Sequence, residues 1–249
     1  MIIGLTEIAL ISALVGTPTI VLDPGHGGAH SGAVSASGTA EKEVALRVSK
    51  YAQKLLQQQG YRVLLTRDKD TYIRLRNRTQ FANREKADIF VSIHANSSPA
   101  EERRGAETYV LSAIASEDVS ASKLRLENEE QEPEKIPNEE KFGGGSSRNK
   151  AVDRILGDLR KDISHRRSAR LAKAIQESMA AVSALSPSRG LRQAPFLVLK
   201  GAKMPAVLVE IGYLTHAVQG RQLALRQTQR SAGRAIAKGI IEYLEPSQE

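Results

Sequence analysis

The sequence predicts an α/β fold: a single layered domain with a mixed, mostly parallel sheet, helices on both faces and a long insertion. Three observations predict it. Short apolar runs alternate with longer stretches of helical periodicity. The 249 residues, 41% hydrophobic and 26% charged, suffice to build a packed core. One stretch alone, residues 113–148, breaks the alternation. The domain is expected over residues 17–245, with 113–148 inserted into it.

Thr19 to Asp23 is an apolar run that stops at Pro24-Gly25, the pattern of a buried strand entering a turn. A Gly-, Ala- and Ser-rich loop follows, from Gly27 to Gly38. Between Glu41 and Gln59, residues Val44, Leu46, Val48, Tyr51, Leu55 and Leu56 roughly fit one helical stripe, and Gly60 supplies a stop. Tyr61–Thr66 reads as a strand, Ile73–Lys86 as an Arg-rich helix, Asp88–His94 as a buried strand and Ala106–Ser112 as another. Helical periodicity returns at Ser120–Gln131, Asn149–Ile163 and Ser168–Val182. Two strands are expected to complete the sheet, Phe196–Lys200 and Ala206–Gly212, before a last helix from Gly220 to Leu244.

Composition narrows the function classes. Without Cys, disulfides, zinc fingers and thiol catalysis are excluded. No uncharged apolar run reaches the ~18 residues of a membrane helix, so stable membrane insertion is not expected. The run Ile8–Val15 is short and lacks a basic lead, so no signal peptide is expected in this chain. The net charge is +8, yet Glu117–Glu140 holds nine acidic residues against three basic ones, a net of −6 that leaves +14 elsewhere. A basic body with an acidic strip suits a polyanionic target such as nucleic acid or an anionic cell-wall polymer. Nucleic acid is the weaker reading, because aromatics are 4% and no basic run is interleaved with them.

Two histidines and a glutamate stand where an α/β sheet builds its sites. His26 follows the first strand in D-P-G-H-G-G, His94 ends the strand D-I-F-V-S-I-H, and Glu41 opens the first helix. Two imidazoles and one carboxylate with an open fourth position form the ligand set of a hydrolytic zinc site. His30, His165 and His216 are competing ligands. Glu210 interrupts the apolar run Val207–Ile211, where a carboxyl group is costly to bury. It is read either as an ion-pair partner of Arg192 or as a general base for a metal-bound water.

Together D-P-G-H-G-G, E-K-E-V-A-L at 41–46, S-I-H-A-N at 92–96 and M-P-A-V-L-V-E-I-G-Y at 204–213 closely resemble the zinc-dependent N-acetylmuramoyl-L-alanine amidases of the amidase-3 type. The resemblance implies zinc on His26, Glu41 and His94, with Glu210 as catalytic carboxylate and Asn96 and Arg192 as substrate-binding residues. It implies cleavage of the amide between N-acetylmuramic acid and L-alanine in peptidoglycan, in the periplasm, by an exported monomer. The insertion resembles the regulatory segment of Gram-negative cell-division amidases, which implies that Glu127 is an inhibitory fourth ligand and that a LytM-domain activator releases it. Two alternatives stand beside this reading: a catalytically inactive peptidoglycan-binding module, and a metal amidohydrolase acting on another amide.

Overall fold

A computed structural model describes residues 16–100, 102–117, 119–128 and 147–245, with residues 147–162 described by their backbone alone. The run Ile8–Val15 and the part of the acidic strip from 129 onward lie outside the described residues. Six strands form one sheet: β1 (Thr19–Pro24), β2 (Arg62–Leu65), β3 (Ile89–Asn96), β4 (Ala106–Leu111), β5 (Ser188–Ala194) and β6 (Ala206–Tyr213). Their order is β2-β1-β3-β6-β4-β5. Every pairing is parallel except β4 with β6. The described helices are α1 (Glu41–Gln58), α2 (Leu75–Arg84), α3 (Ala121–Asn128), α4 (Ser147–Ala180), α5 (Ala217–Ala224) and α6 (Arg226–Leu244). None is long and apolar enough to cross a membrane.

Strand alternation divides the sheet into two faces with different duties. Ile20, Leu22, Val91, Ile93, Val207 and Val209 pack against Val44 and Val48 of α1, Leu171 and Ile175 of α4, and Ile236 and Ile240 of α6. This is the larger core. On the opposite face, Val21, Phe90, Tyr109 and Leu208 join Leu75 and Ala82 of α2 and Phe196, with Leu124 of α3 packed against them. The residues that follow at the same alternation are polar: Asp23 on β1, Ser92, His94 and Asn96 on β3, Glu107 on β4, and Glu210 on β6, all buried. The smaller core therefore gives way, toward the carboxyl ends of the parallel strands, to a row of buried polar side chains.

The structure departs from the sequence expectations in three places. Phe196–Lys200 is not a strand; a 3-10 turn at Leu197–Leu199 buries Val198 and Leu199 in the smaller core. The strand lies earlier, at Ser188–Ala194, where the sheet edge tolerates the polar sequence S-R-G-L-R-Q-A. Asn149–Ile163 and Ser168–Val182 form one helix of 34 residues, α4. The final helix is two, broken at Leu225, whose extended backbone separates α5 from α6.

Candidate metal centre

His26 is held in a backbone conformation that side chains rarely adopt, with φ +56. Two buried arginines impose it. Arg78, 1% exposed, donates from Nη2 to the His26 carbonyl at 2.9 Å, and from Nη1 to Pro24 O at 2.8 Å and Asp23 Oδ1 at 2.9 Å. Arg67 donates to the carbonyls of Pro24 at 3.0 Å, Gly25 at 2.6 Å and Lys42 at 2.8 Å. The D-P-G-H turn is thus clamped by guanidinium groups on its own backbone carbonyls, a local arrangement that stores strain at a site. Gly25 and Gly32 complete the turn: a Cβ on Gly25 would overlap the His94 ring, and one on Gly32 would overlap the Glu41 carboxylate and the His26 ring.

Glu41, fully buried at the start of α1, points both carboxylate oxygens to defined places. Oε2 accepts from Ala33 N at 2.8 Å, and Oε1 accepts from Ala95 N at 3.0 Å. Oε1 also lies 3.0 Å from His26 Nε2 and 3.0 Å from His94 Nδ1. Glu127 enters from α3: its Oε2 is 2.9 Å from His94 Nδ1 and 3.8 Å from His26 Nε2. One donor atom from each of the four buried residues lies within 4.8 Å of all the others.

This arrangement fits a metal ion. Ligand bonds of 2.0–2.1 Å in a tetrahedron give donor–donor edges of roughly 3.3 Å, and the observed separations fall on either side of that. Glu127 Oε2, which faces this group, is buried without a hydrogen bond, an expensive condition for a polar atom. Nitrogen and carboxylate oxygen donors in this number match zinc. Without an ion, the charges lean on one another. Burial works against the Glu41 carboxylate, but the His26 and His94 imidazoles outweigh it and hold its pKa well below the usual carboxylate range. Burial likewise opposes the His94 imidazolium, and Glu127 and Glu41 overcome it to push that pKa up.

Glu210 lies beside the centre. Its strand partner in β3 is His94 and its partner in β4 is Glu107. Neither of its oxygens accepts a hydrogen bond, although Lys123 Nζ of α3 is 3.1 Å from Oε1. Burial, with Glu127 and Glu41 adding to it, pushes the carboxyl up to about 8 against the pull of Lys123 and His94. A carboxyl that holds a proton near neutrality is suited to taking one and giving it back.

The remaining expected residues fall nearby. Asn96 donates to Glu107 Oε1 at 2.7 Å and accepts from Ser97 N at 2.9 Å. Arg192 is not the partner of Glu210; it stands 3.5 Å from Glu107 Oε2. The competing histidines are elsewhere: His30 stacks on Tyr72, His165 is exposed on α4, and His216 caps α5 by accepting from Val218 N and Gln219 N. Sequence reasoning missed Arg78, Glu107 and Lys123. Glu107 carried the same signal as Glu210, a lone acid in an apolar strand.

Comparison with known proteins finds relatives over nearly the whole chain. The family model described as N-acetylmuramoyl-L-alanine amidase matches residues 20–242. The chain is 32% identical to the amidase AmiC of Neisseria meningitidis serogroup B over 92% of its own length and 53% of that protein, so it spans about half of that relative. It is 32% identical to AmiA of Escherichia coli over 92% of its length and 76% of that relative. Among solved structures, the amidase AmiC2 of Nostoc punctiforme aligns with a TM-score of 0.67 at 30% identity, covering 92% of this chain and 98% of the other. The catalytic domain of CwlV from Bacillus (Paenibacillus) polymyxa aligns with 0.66 at 30%, covering 92% and 99%.

Proposed function

Because the chain belongs to the amidase-3 family of N-acetylmuramoyl-L-alanine amidases, we propose that it hydrolyses the amide between N-acetylmuramic acid and the stem peptide's L-alanine in peptidoglycan. The observation that carries the reading is the convergence of His26, Glu41 and His94 from three separate segments, with Glu127 closing the group. We assign the three to a zinc ion and Glu127 to its fourth position.

Zinc, when bound, would supply a Lewis acid for the amide carbonyl and lower the pKa of water. The chain supplies the rest. Glu41, fixed through Ala33 N and Ala95 N, would hold the ion together with the two imidazole nitrogens that its Oε1 faces. Glu210 takes a proton from the attacking water and delivers one to the leaving nitrogen. Asn96 and Arg192, which both lie against Glu107, bind the substrate in this reading.

The same geometry supports latency. Glu127 occupies the place that water and the substrate carbonyl need, and Lys123 stands against Glu210. In this reading α3 belongs to a regulatory insertion within a 17–245 catalytic domain, and a LytM-domain activator draws it off. The enzyme acts as an exported, periplasmic monomer during cell division.

Digestion of purified peptidoglycan, read by mass spectrometry, tests the activity. Free stem peptides beginning with L-alanine are expected. Replacing Glu210 by Gln should lower the rate roughly 10²–10⁴-fold while zinc stays bound. Binding to peptidoglycan without cleavage would favour an inactive wall-binding module instead. Turnover of other amides with intact stem peptides would favour a different amidohydrolase.

A further inference from the structure

The ammonium of Lys123 rests in a pocket that its own helix does not build. Nζ lies 2.9 Å from Glu107 Oε1, 3.1 Å from Glu210 Oε1 and 3.1 Å from the Tyr109 hydroxyl, and 4.2 Å from the Tyr109 ring centroid. Glu107, Tyr109 and Glu210 stand on β4 and β6. Glu107 is held in place independently of α3, by Asn96 Nδ2 at 2.7 Å and Arg189 Nε at 2.9 Å. Two carboxyl groups and an aromatic face converging on one point form a receptor for a cation. Water activation leaves Glu107 without a duty.

Sheet register gives that pocket a direction. In the order β3-β6-β4, His94 pairs with Glu210, and Glu210 pairs with Glu107. The three residues form a row whose metal-ligand end is His94 and whose far end is Glu107. An amide lying along this row, with its carbonyl at the metal ligands, directs its nitrogen toward Glu210 and, beyond it, Glu107. On α3, Glu127 and Lys123 stand four residues apart, one helical turn, and meet the two ends of the same row.

We propose that Glu107, Tyr109 and Glu210 form a subsite for the α-ammonium group released by hydrolysis, and that α3 closes the site by imitating both products. This rests on the amidase reading. Hydrolysis breaks the C–N bond, leaves the water oxygen on the acyl carbon as a carboxylate, and transfers both water protons to the leaving nitrogen, which becomes an ammonium. A carboxylate and an ammonium are the two groups that Glu127 and Lys123 present. Glu107 accordingly stabilises the charge that develops on the leaving nitrogen, and sets a preference for a primary amine in the product.

The test measures binding, without turnover, to the full chain carrying K123A and E127A, which empties both ends of the row. Calorimetric titration compares the dipeptide L-Ala-L-Ala with propionyl-L-alanine, which lacks only the amino group. The free amine is expected to bind at least roughly tenfold more tightly, and the unchanged chain to show no such preference because Lys123 fills the pocket. Adding Glu107→Gln should abolish the preference, and Tyr109→Phe should reduce it; circular dichroism identifies any variant that has lost its fold. Equal affinities for the two probes, or a preference that survives Glu107→Gln in a folded protein, would overturn the subsite. Peptidoglycan cleavage by the same K123A/E127A chain separates the two claims. Cleavage without amine preference refutes the subsite alone, and amine preference without cleavage refutes the amidase reading alone.

Discussion

Glu127 Oε2 lies 2.9 Å from His94 Nδ1, nearer than the 3.8 Å between Glu127 Oε2 and His26 Nε2. A carboxyl group brought in by α3 thus sits on one candidate ligand as closely as Glu41, which the body of the domain supplies. Replacing Glu127 by Ala is expected to raise basal peptidoglycan hydrolysis at least roughly tenfold, about 1.4 kcal/mol of preference for the closed state. Glu117→Ala, at an exposed position before α3, should leave it unchanged. Initial rates on dye-labelled peptidoglycan check this, and equal rates for E127A and the unchanged chain would remove the latch.

Arg78 answers for the shape of the His26 turn. Its guanidinium satisfies Asp23 and the carbonyls of Pro24 and His26 in a buried setting. Arg78→Met leaves the Asp23 carboxyl without this ion pair, and is expected to cost about 3–5 kcal/mol of stability. Arg78→Lys, which keeps the charge but loses the fork, should lie between. Urea midpoints measure the loss. Zinc content per folded chain separates it from turn geometry, because a relaxed His26 should release metal even where the fold survives.

Stability should also carry an acid limb from Glu107. Burial raises its pKa, but Lys123, Tyr109 and Arg189 outweigh burial and hold it down to about 2, against 4.5 ordinarily. The folded state therefore resists the proton that the unfolded chain accepts. The contribution is fully present above pH 4.5 and is lost as pH falls toward 2; it amounts to about 3 kcal/mol at most. Urea midpoints at pH 7 and pH 3 are expected to converge for Glu107→Gln relative to the unchanged chain, and an equal pH difference in both would contradict the assignment.

How much of this was legible in the sequence follows from what each feature depends on. β1, β3 and β6 are apolar runs buried on both faces, and local composition marks them plainly. His26, Glu41 and His94 sit at strand or helix ends, so their spacing against the elements pointed to one edge. β5 escaped because its sequence S-R-G-L-R-Q-A is polar, as an edge allows, while the apolar F-L-V-L beside it was spent on a turn packed into the smaller core. Arg78 sits within an Arg-rich helix where nothing local separates it from Arg74, Arg76 or Arg84. Its role comes from contacts more than 50 residues away. Lys123 was hidden in the same way, its meaning resting on where α3 lands against β4 and β6.

The most direct test is a crystal structure of the purified chain with diffraction collected on either side of the zinc absorption edge. One anomalous peak is expected within about 2 Å of His26 Nε2, His94 Nδ1 and a Glu41 oxygen, with Glu127 at the remaining position. An active protein whose metal lies elsewhere, or whose two histidines stand apart from Glu41, would contradict the account.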